Sequence, residues 1–393
     1  MNNLSPEQRF GIVDPNFETT SLYWRTAHLP KGSQRFRVLA GLRDTGEANA
    51  VIPVLDELSR RSFDVFVMAS ERGEDELRTS EFEFSSSRYF DPVLRIERMR
   101  GNAVITGYSG VPSIEMVLNS SAHVKGVKVF AIEDYPGAYL SELGKIFNKA
   151  AEAIPDYLFV MNEWAKRTNL DCLPSFPEDR IIVSGAPALD KIAHTDKLQV
   201  RKEVREKLGV SDDETLISWF GQVGGATVES LQVLMKGLEA IGPENFRLAA
   251  RFHPRDNTPK EIYDGILRHF RGRFVDAGRD VERNAGRVIA ASDLVVQERS
   301  TIAMQAAAWE IPVISIAIPE INDRYGVMMG LRVPVIEDGI SPLVAKEEEM
   351  ARVLETALFD SAFRSDLKSR MLAWKSDGKA AERVADKIIE LIT

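Results

Sequence analysis

Short apolar, β-branched runs alternate with longer stretches whose apolar positions recur every three or four residues, from about residue 35 onward. In the first half the runs predict strands at 35–42, 64–69, 102–108, 127–134, 156–162 and 180–186. Most are apolar on both faces, as strands of a buried parallel sheet must be. The stretches between them keep helical spacing. From Thr45 onward, Ala48, Val51, Ile52, Leu55 and Leu58 fall on one stripe. The second half repeats the theme, with strands predicted at 215–222, 246–254, 273–276, 293–297, 312–318 and 332–336. Strand–helix–strand alternation implies parallel sheets with right-handed crossovers. The expectation is an α/β chain of two doubly wound domains, joined once and facing each other across a cleft at their strands' carboxyl ends.

The pattern also divides the chain. Residues 1–34 carry no strong period and form an extension, 35–190 the first domain and 191–204 a charged linker. The second domain follows at 205–374, and 375–393 is a C-terminal helix.

Composition narrows the function classes. The chain has 393 residues, 44% of them hydrophobic, and 50 Lys and Arg against 59 Asp and Glu, a net charge of −9. That balance argues against a nucleic-acid partner, which requires clustered positive charge. Cys172 is the single cysteine, so no intramolecular disulfide can form. The first residues lack the basic-then-apolar layout of a signal peptide. The apolar run at 311–319 is about half the ~20 residues of a transmembrane helix. A soluble, cytoplasmic protein is expected.

Candidate chemistry gathers where strands end. Phe220-Gly221-Gln222-Val223-Gly224-Gly225 follows the first strand of the second half and precedes a helix. Glycines there let a ligand approach the backbone, and the helix start favours an anion; a plain strand-to-helix turn is the simpler reading. Arg251-Phe252-His253-Pro254-Arg255 ends the next strand, where His253 can donate to a phosphate oxygen between two arginines. Gln297-Glu298-Arg299-Ser300-Thr301 opens an alanine-rich helix. Ser300 and Thr301 suit an anion there, and equally suit an ordinary helix start.

In the first half, Glu133-Asp134 ends a strand. Adjacent side chains of a strand point to opposite faces, so one of the two carboxylates enters the cleft as a candidate general base. A loop carboxylate capping the next helix is the alternative. Asp44 and Glu47 after the first strand are rival bases or caps, and Tyr108-Ser109 is a further loop able to touch an acceptor. The 5 histidines show no paired ligand spacing, so no metal site is expected.

From about residue 35 the chain resembles the GT-B superfamily of nucleotide-sugar glycosyltransferases and UDP-N-acetylglucosamine 2-epimerases. Ile181-Ile182-Val183-Ser184-Gly185-Ala186-Pro187 is similar to the segment closing their N-terminal domain. Arg205-Glu206-Lys207-Leu208-Gly209-Val210, a strand and Gly224-Gly225 resemble the start of their nucleotide-binding domain. Ala291-Ser292-Asp293-Leu294-Val295-Val296 through Pro312-Val313-Ile314 resembles their donor-holding segment, and Asp377-Gly378-Lys379 their closing helix. Gln305 stands where these proteins usually have a ribose-binding Glu, and Glu310 where Gly is usual. The epimerases' Asp-Ser-Gly-Gly-x-Gln-Glu-Glu element is not matched at 297–305.

Within the same fold, the sialyltransferase and CDP-glycerol transferase groups resemble this chain at Glu133-Asp134, His253-Pro254 and Ser300-Thr301. The resemblance implies a GT-B fold of two Rossmann-like domains and a metal-independent glycosyltransferase with no tightly bound cofactor. Its co-substrate would be a UDP- or CMP/CDP-linked sugar, held by Gly224, Gly225, His253, Arg255, Ser300, Thr301 and Gln305. Asp134, or failing it Glu133, would be the base. Asp44, Glu47, Tyr108 and Ser109 would line the side of a small-molecule, glycan or lipid-linked acceptor. The alternatives are a sugar-nucleotide epimerase, a CDP-glycerol-type transferase and a non-catalytic nucleotide-binding protein. Homo-oligomerisation is left open.

Overall fold

The computed structural model describes residues 36–43, 45–70, 101–107, 114–135, 153–222, 224–242, 245–253, 256–268, 270, 273–278, 281–282, 284–298, 300–324 and 334–393, with a few positions between 73 and 96. The extension at 1–34 lies outside them. The chain forms two compact units. Unit 1 comprises residues 1–190 and 377–393, and unit 2 comprises residues 191–376.

Unit 1 contains β1 (Arg37–Leu42), α1 (Thr45–Arg60), β2 (Asp64–Ala69), β3 (Phe84–Ser86), β4 (Ala103–Thr106), α2 (Ile114–Val124), β5 (Lys128–Ile132), β6 (Tyr157–Val160), α3 (Glu163–Cys172) and β7 (Ile181–Val183). Among the described residues the sheet is entirely parallel, in the order β3-β2-β1-β4-β5-β6-β7. Alternation decides what each face buries. Val38, Ala40, Phe130, Ile132 and Phe159 pack with α1 on one side. On the other side Leu39, Val104 and Val129 pack with Ile114, Leu118 and Ala122 of α2.

After α4 (Asp190–Ala193), unit 2 runs through α5 (Lys197–Leu208), β8 (Thr215–Phe220), α6 (Gly225–Ile241), β9 (Phe246–Arg251), α7 (Lys260–Leu267), β10 (Phe274–Asp276), α8 (Ala285–Ala291), β11 (Leu294–Gln297), α9 (Ile302–Ala308) and β12 (Val313–Ile316). It then adds α10 (Pro319–Arg324), α11 (Pro334–Glu337), β13 (Leu343–Val344), α12 (Met350–Phe359) and α13 (Ser361–Met371). Its described sheet has the order β10-β9-β8-β11-β12-β13, again parallel throughout. Helix α5 is clasped to this sheet by arginines. Arg205, 2% exposed, donates to Asp293 at 3.2 Å and to the carbonyls of Ala291, Ser211 and Glu214, while Arg201 reaches Asp293 at 2.6 Å.

Two expectations are corrected. Of the strand predicted at 332–336, the described residues 334–336 lie instead in helix α11, and the last strand among the described residues is β13. Proline lacks the N–H a ladder needs but suits the first position of a helix, and Pro334 stands there. The single connection between domains is also wrong, because the chain leaves unit 1 after Asp190 and returns at Asp377. Its last helix, α14 (Ala380–Ile392), buries Val384, Ala385 and Ile388 in the same core as α1. Each fully buried Val or Ile side chain contributes about 1.5–3 kcal/mol. Asp190 caps the helix, its two carboxylate oxygens taking the N–H groups of Ala380 at 3.1 Å and Ala381 at 2.8 Å. Beside them Gly185 adopts φ +87°, and a Cβ there would come within 2.8 Å of the Arg383 guanidinium. Arg383 donates to the Ser184 carbonyl at 2.8 Å and pairs with Asp377.

The Glu310 departure also has a local explanation. Glu310 follows α9 with φ +55°, a left-handed conformation that favours glycine and costs an ordinary residue about 1–2 kcal/mol. Its carboxylate is held by Lys375 at 2.9 Å and Lys368 at 3.1 Å. The hydrogen bond from Lys375 is the main reason its carboxyl titrates below the usual range.

Replacing Asp190 by Ala should lower unfolding stability by about 1–2 kcal/mol, read as a lower urea midpoint, because two helix-start N–H groups lose their acceptors. Glu310 tests the pH dependence. A carboxyl depressed in the folded state adds stability that is fully present above its unfolded value of about 4.3 and is lost as pH falls through the folded value. Glu310→Gln should therefore be the less stable protein near about pH 6, and urea titrations should show the gap narrowing toward about pH 3.

Candidate functional site

In each sheet the chain reverses its direction of travel once. Unit 2 runs outward from β8 through β9 to β10, then restarts at β11 on the other side of β8. In open α/β sheets such a reversal places a crevice at the carboxyl edge, and ligands bind there.

The first loop is built around glycine. A Cβ on Gly221 would lie 2.6 Å from the Trp219 ring, and Gly224 has φ +90° as it opens α6. The Gln222 N–H donates to Thr227 Oγ1 at 2.7 Å, and that hydroxyl donates to Glu298 Oε1 at 2.7 Å. Glu298 is buried at the end of β11, so one carboxylate ties the loops of β8 and β11 together.

Asp256, after β9, makes the matching tie on the other side. It accepts from Tyr263 Oη at 2.5 Å, from Thr258 Oγ1 at 2.8 Å and from the Gly224 N–H. Burial alone would raise its carboxyl, but these hydrogen bonds outweigh burial and hold it below its ordinary value. Burial first, and Asp256 beside it, push the Tyr263 phenol above its usual range. Trp219, Phe252 and Tyr263 form a cluster of edge-on and tilted rings beside the loops, with Phe252 and Tyr263 centroids 4.4 Å apart.

Gly224, Gly225, His253, Ser300 and Thr301 are thus brought to one edge, beyond the adjacent strands β9, β8 and β11. His253 is half-buried, and its carbonyl accepts the Asp256 N–H at 2.9 Å. Ser300 behaves as a helix-start residue, its hydroxyl taking the Ile302 N–H at 3.3 Å, while the Thr301 hydroxyl makes no capping bond. Gln305 lies a turn further down α9, against Gly286, where a Cβ would come within 3.1 Å of its Oε1. Arg255 falls outside the described residues. Arg251, the other arginine flanking His253, is part of the fold. It is buried and donates to the carbonyls of Ala277 at 2.9 Å and Glu282 at 2.6 Å, holding the β10–α8 connection.

In unit 1 the reversal falls between β1 and β4. Glu47 is fully buried there, accepting the Arg43 N–H at 2.9 Å, and a Cβ on Gly107 would sit 2.6 Å from its Cβ. It therefore packs between the ends of β1 and β4. Glu133 and Asp134 follow β5. Glu133 is 5% exposed and accepts from Asn169 Nδ2 at 2.8 Å, while Asp134 is half-buried. Asp44, Tyr108 and Ser109 lie outside the described residues. Among the described residues no group of three or more His, Cys, Asp or Glu could hold a metal ion, and no helix is long and apolar enough to cross a membrane.

Sequence reasoning missed Thr227, Tyr263 and Asn169, and gave no role to Asp256 and Glu298, which lie inside the motifs at 251–256 and 297–301. Glu298 carried the signal that singled out Glu133, a carboxylate directly after apolar strand residues. Asn169, inside α3, carried none.

A family model for CDP-glycerol:poly(glycerophosphate) glycerophosphotransferase matches residues 127–390. No curated protein matches the chain. Among solved structures, the S. aureus MnaA–UDP complex shares 12% identity at a TM-score of 0.70, covering 91% of this chain and 97% of its own. The Neisseria meningitidis UDP-GlcNAc 2-epimerase bound to UDP-GlcNAc shares 14% at 0.68, covering 90% and 100%. The wall teichoic acid polymerase TagF shares 13% at 0.58, covering 91% and 89%. These likenesses identify the fold as GT-B.

Replacing Glu298 by Gln leaves the Thr227 hydroxyl facing an amide in place of a charge. Bonds to charged acceptors are worth about 1.5–3 kcal/mol, so the two loops should loosen. The expected outcome is a protein that stays folded but loses about tenfold in nucleotide affinity, read from thermal stabilisation by CDP.

Proposed function

The chain belongs to the CDP-glycerol:poly(glycerophosphate) glycerophosphotransferase family, and on that premise we propose that it transfers a phosphopolyol unit from a CDP-linked donor to a hydroxyl acceptor. One observation carries this reading. The family match spans Glu133 and Asp134 together with all three loops of the unit 2 crevice. The TagF neighbours include a variant soaked with CDPG, which supports the same donor class.

Unit 2 would bind the donor. The first N–H groups of α6 have no partner inside the helix, and its positive end favours the diphosphate. His253, Ser300 and Thr301 would donate to phosphate oxygens, with Gln305 toward the ribose. In unit 1, Asp134, or failing it Glu133, would accept the acceptor's proton. The acceptor oxygen attacks the phosphorus carrying the polyol, a new P–O bond forms, and the bond to the bridging oxygen breaks. CMP leaves with the electron pair. The start of α6, held in place by the loop that Glu298 and Asp256 shape, would meet the charge that develops on it without reorganising. No metal and no tightly bound cofactor is part of this reading.

Sugar transfer or epimerisation is the second reading, favoured by the higher TM-scores of the epimerase structures. The two differ in the atom attacked, phosphorus in one and the sugar carbon in the other. Incubation with CDP-glycerol and a glycerophosphate oligomer, without magnesium, should release CMP. Turnover of UDP-GlcNAc alone, with CDP-glycerol inert, would instead establish the epimerase. Asp134→Asn should cost at least ~100-fold in turnover with little change in donor KM. Should that variant keep full rate, Glu133→Gln must show the loss, and full activity in both would sink the carboxylate base.

A further inference from the structure

Glu115 lies in the first turn of α2, is 2% exposed, and has no hydrogen-bond partner on either carboxylate oxygen. A carboxylate taken out of water and left unpaired is among the costliest groups a fold can carry. Among the described residues nothing pairs it, and the residues of α2 that pack into the apolar clusters are Ile114, Met116, Leu118 and Ala122.

Its height above the sheet is set by Asn119, which accepts from Thr106 Oγ1 at 3.1 Å, Thr106 being the last residue of β4. Helix α2 returns antiparallel to that strand. Glu115, four residues before Asn119, therefore stands about 6 Å beyond the strand's end. Glu133 reaches a similar height from the next strand. Thr106 pairs with Ala131, and two more residues add about 6–7 Å. Both lie on the same side of the sheet. Val129 packs with Leu118 and Ala122, Ala131 with Met116, and alternation puts Glu133 with them.

Two buried carboxyl groups at one height beyond adjacent strands make a place that accepts hydrogen bonds. A polyol answers that demand, since its neighbouring hydroxyls each donate one hydrogen bond. We propose that Glu115 is an acceptor-binding residue, taking the hydrogen bond of a hydroxyl close to the one that reacts. The hydroxyl-rich nature of the acceptor rests on the transferase reading above, but binding can be measured without turnover.

The test compares wild type with Glu115→Gln and Glu115→Leu, as full-length protein, in three measurements. These are thermal unfolding without ligand, calorimetric binding of a glycerophosphate oligomer, and calorimetric binding of CDP-glycerol. The inference expects both variants to melt no lower than wild type, since neither removes a hydrogen bond made within the described fold. It expects the oligomer to bind at least tenfold more weakly and CDP-glycerol to bind as before. Equal oligomer affinity in all three proteins, or no oligomer binding to wild type, overturns the inference while CDP-glycerol binding keeps the transferase reading. Variants that melt several degrees lower overturn it too, by giving Glu115 a folding role. Failure of CDP-glycerol to bind wild type, with oligomer binding still dependent on Glu115, removes the donor reading and leaves the acceptor site in place.

Discussion

A parallel strand must be re-entered from the same end as its neighbour, so every turn of this chain crosses back over the sheet before the next strand begins. That constraint governs both units. It buries both faces of each sheet under helices, and so requires strands apolar on both sides. It also sends every strand's exit to one edge. Where the direction of travel reverses, at β1/β4 and at β8/β11, two exits part and the backbone opens. The residues at those exits are excused from core packing, and the polar chemistry of the chain collects on them.

The Gly-rich loop at the unit 2 edge is organised by carboxylates. Glu298 and Asp256 each bind the Gly-rich loop through its own N–H and hydroxyl groups, from opposite sides. This is consistent with an anion site. The Gln222 and Gly224 N–H groups are donated to Thr227 and Asp256, so what the two carboxylates fix is the shape of the loop, and the start of α6 is left for an anion. Arg251 shows the converse, a cation at a strand end spent on two carbonyls. Counting charges near a loop is therefore a poor guide to the sign of its ligand.

Much of the fold was legible because burial on both faces leaves a strong mark. The apolar runs at 64–69 and 215–222 contain β2 and β8, and the same period predicted α1. The failures have physical causes. Phe84, Ser85 and Ser86 form an edge strand too short and too polar to stand out. The two residues of β13 are fewer than any periodic pattern can register, and the apolar turn at Pro334 took its place in the reading. The candidate site was legible where a polar residue ended an apolar run, as at Glu133, His253 and Ser300. It was illegible where the partner came from a distant helix. Asn169 meets Glu133 across 36 residues, and Thr227 meets Glu298 across 71. No local pattern carries such a pairing.

The return of α14 gives the molecule an unusual order of completion during its own synthesis. Asp190 caps a helix that lies 190 residues further along the chain. At about 5–20 residues per second, a ribosome needs about 10–40 s to make that interval. For that time the apolar side of α1 has no terminal helix to cover it, while all of unit 2 emerges. The domain begun first is finished last, and its final seal is supplied by residues translated after the other unit is complete.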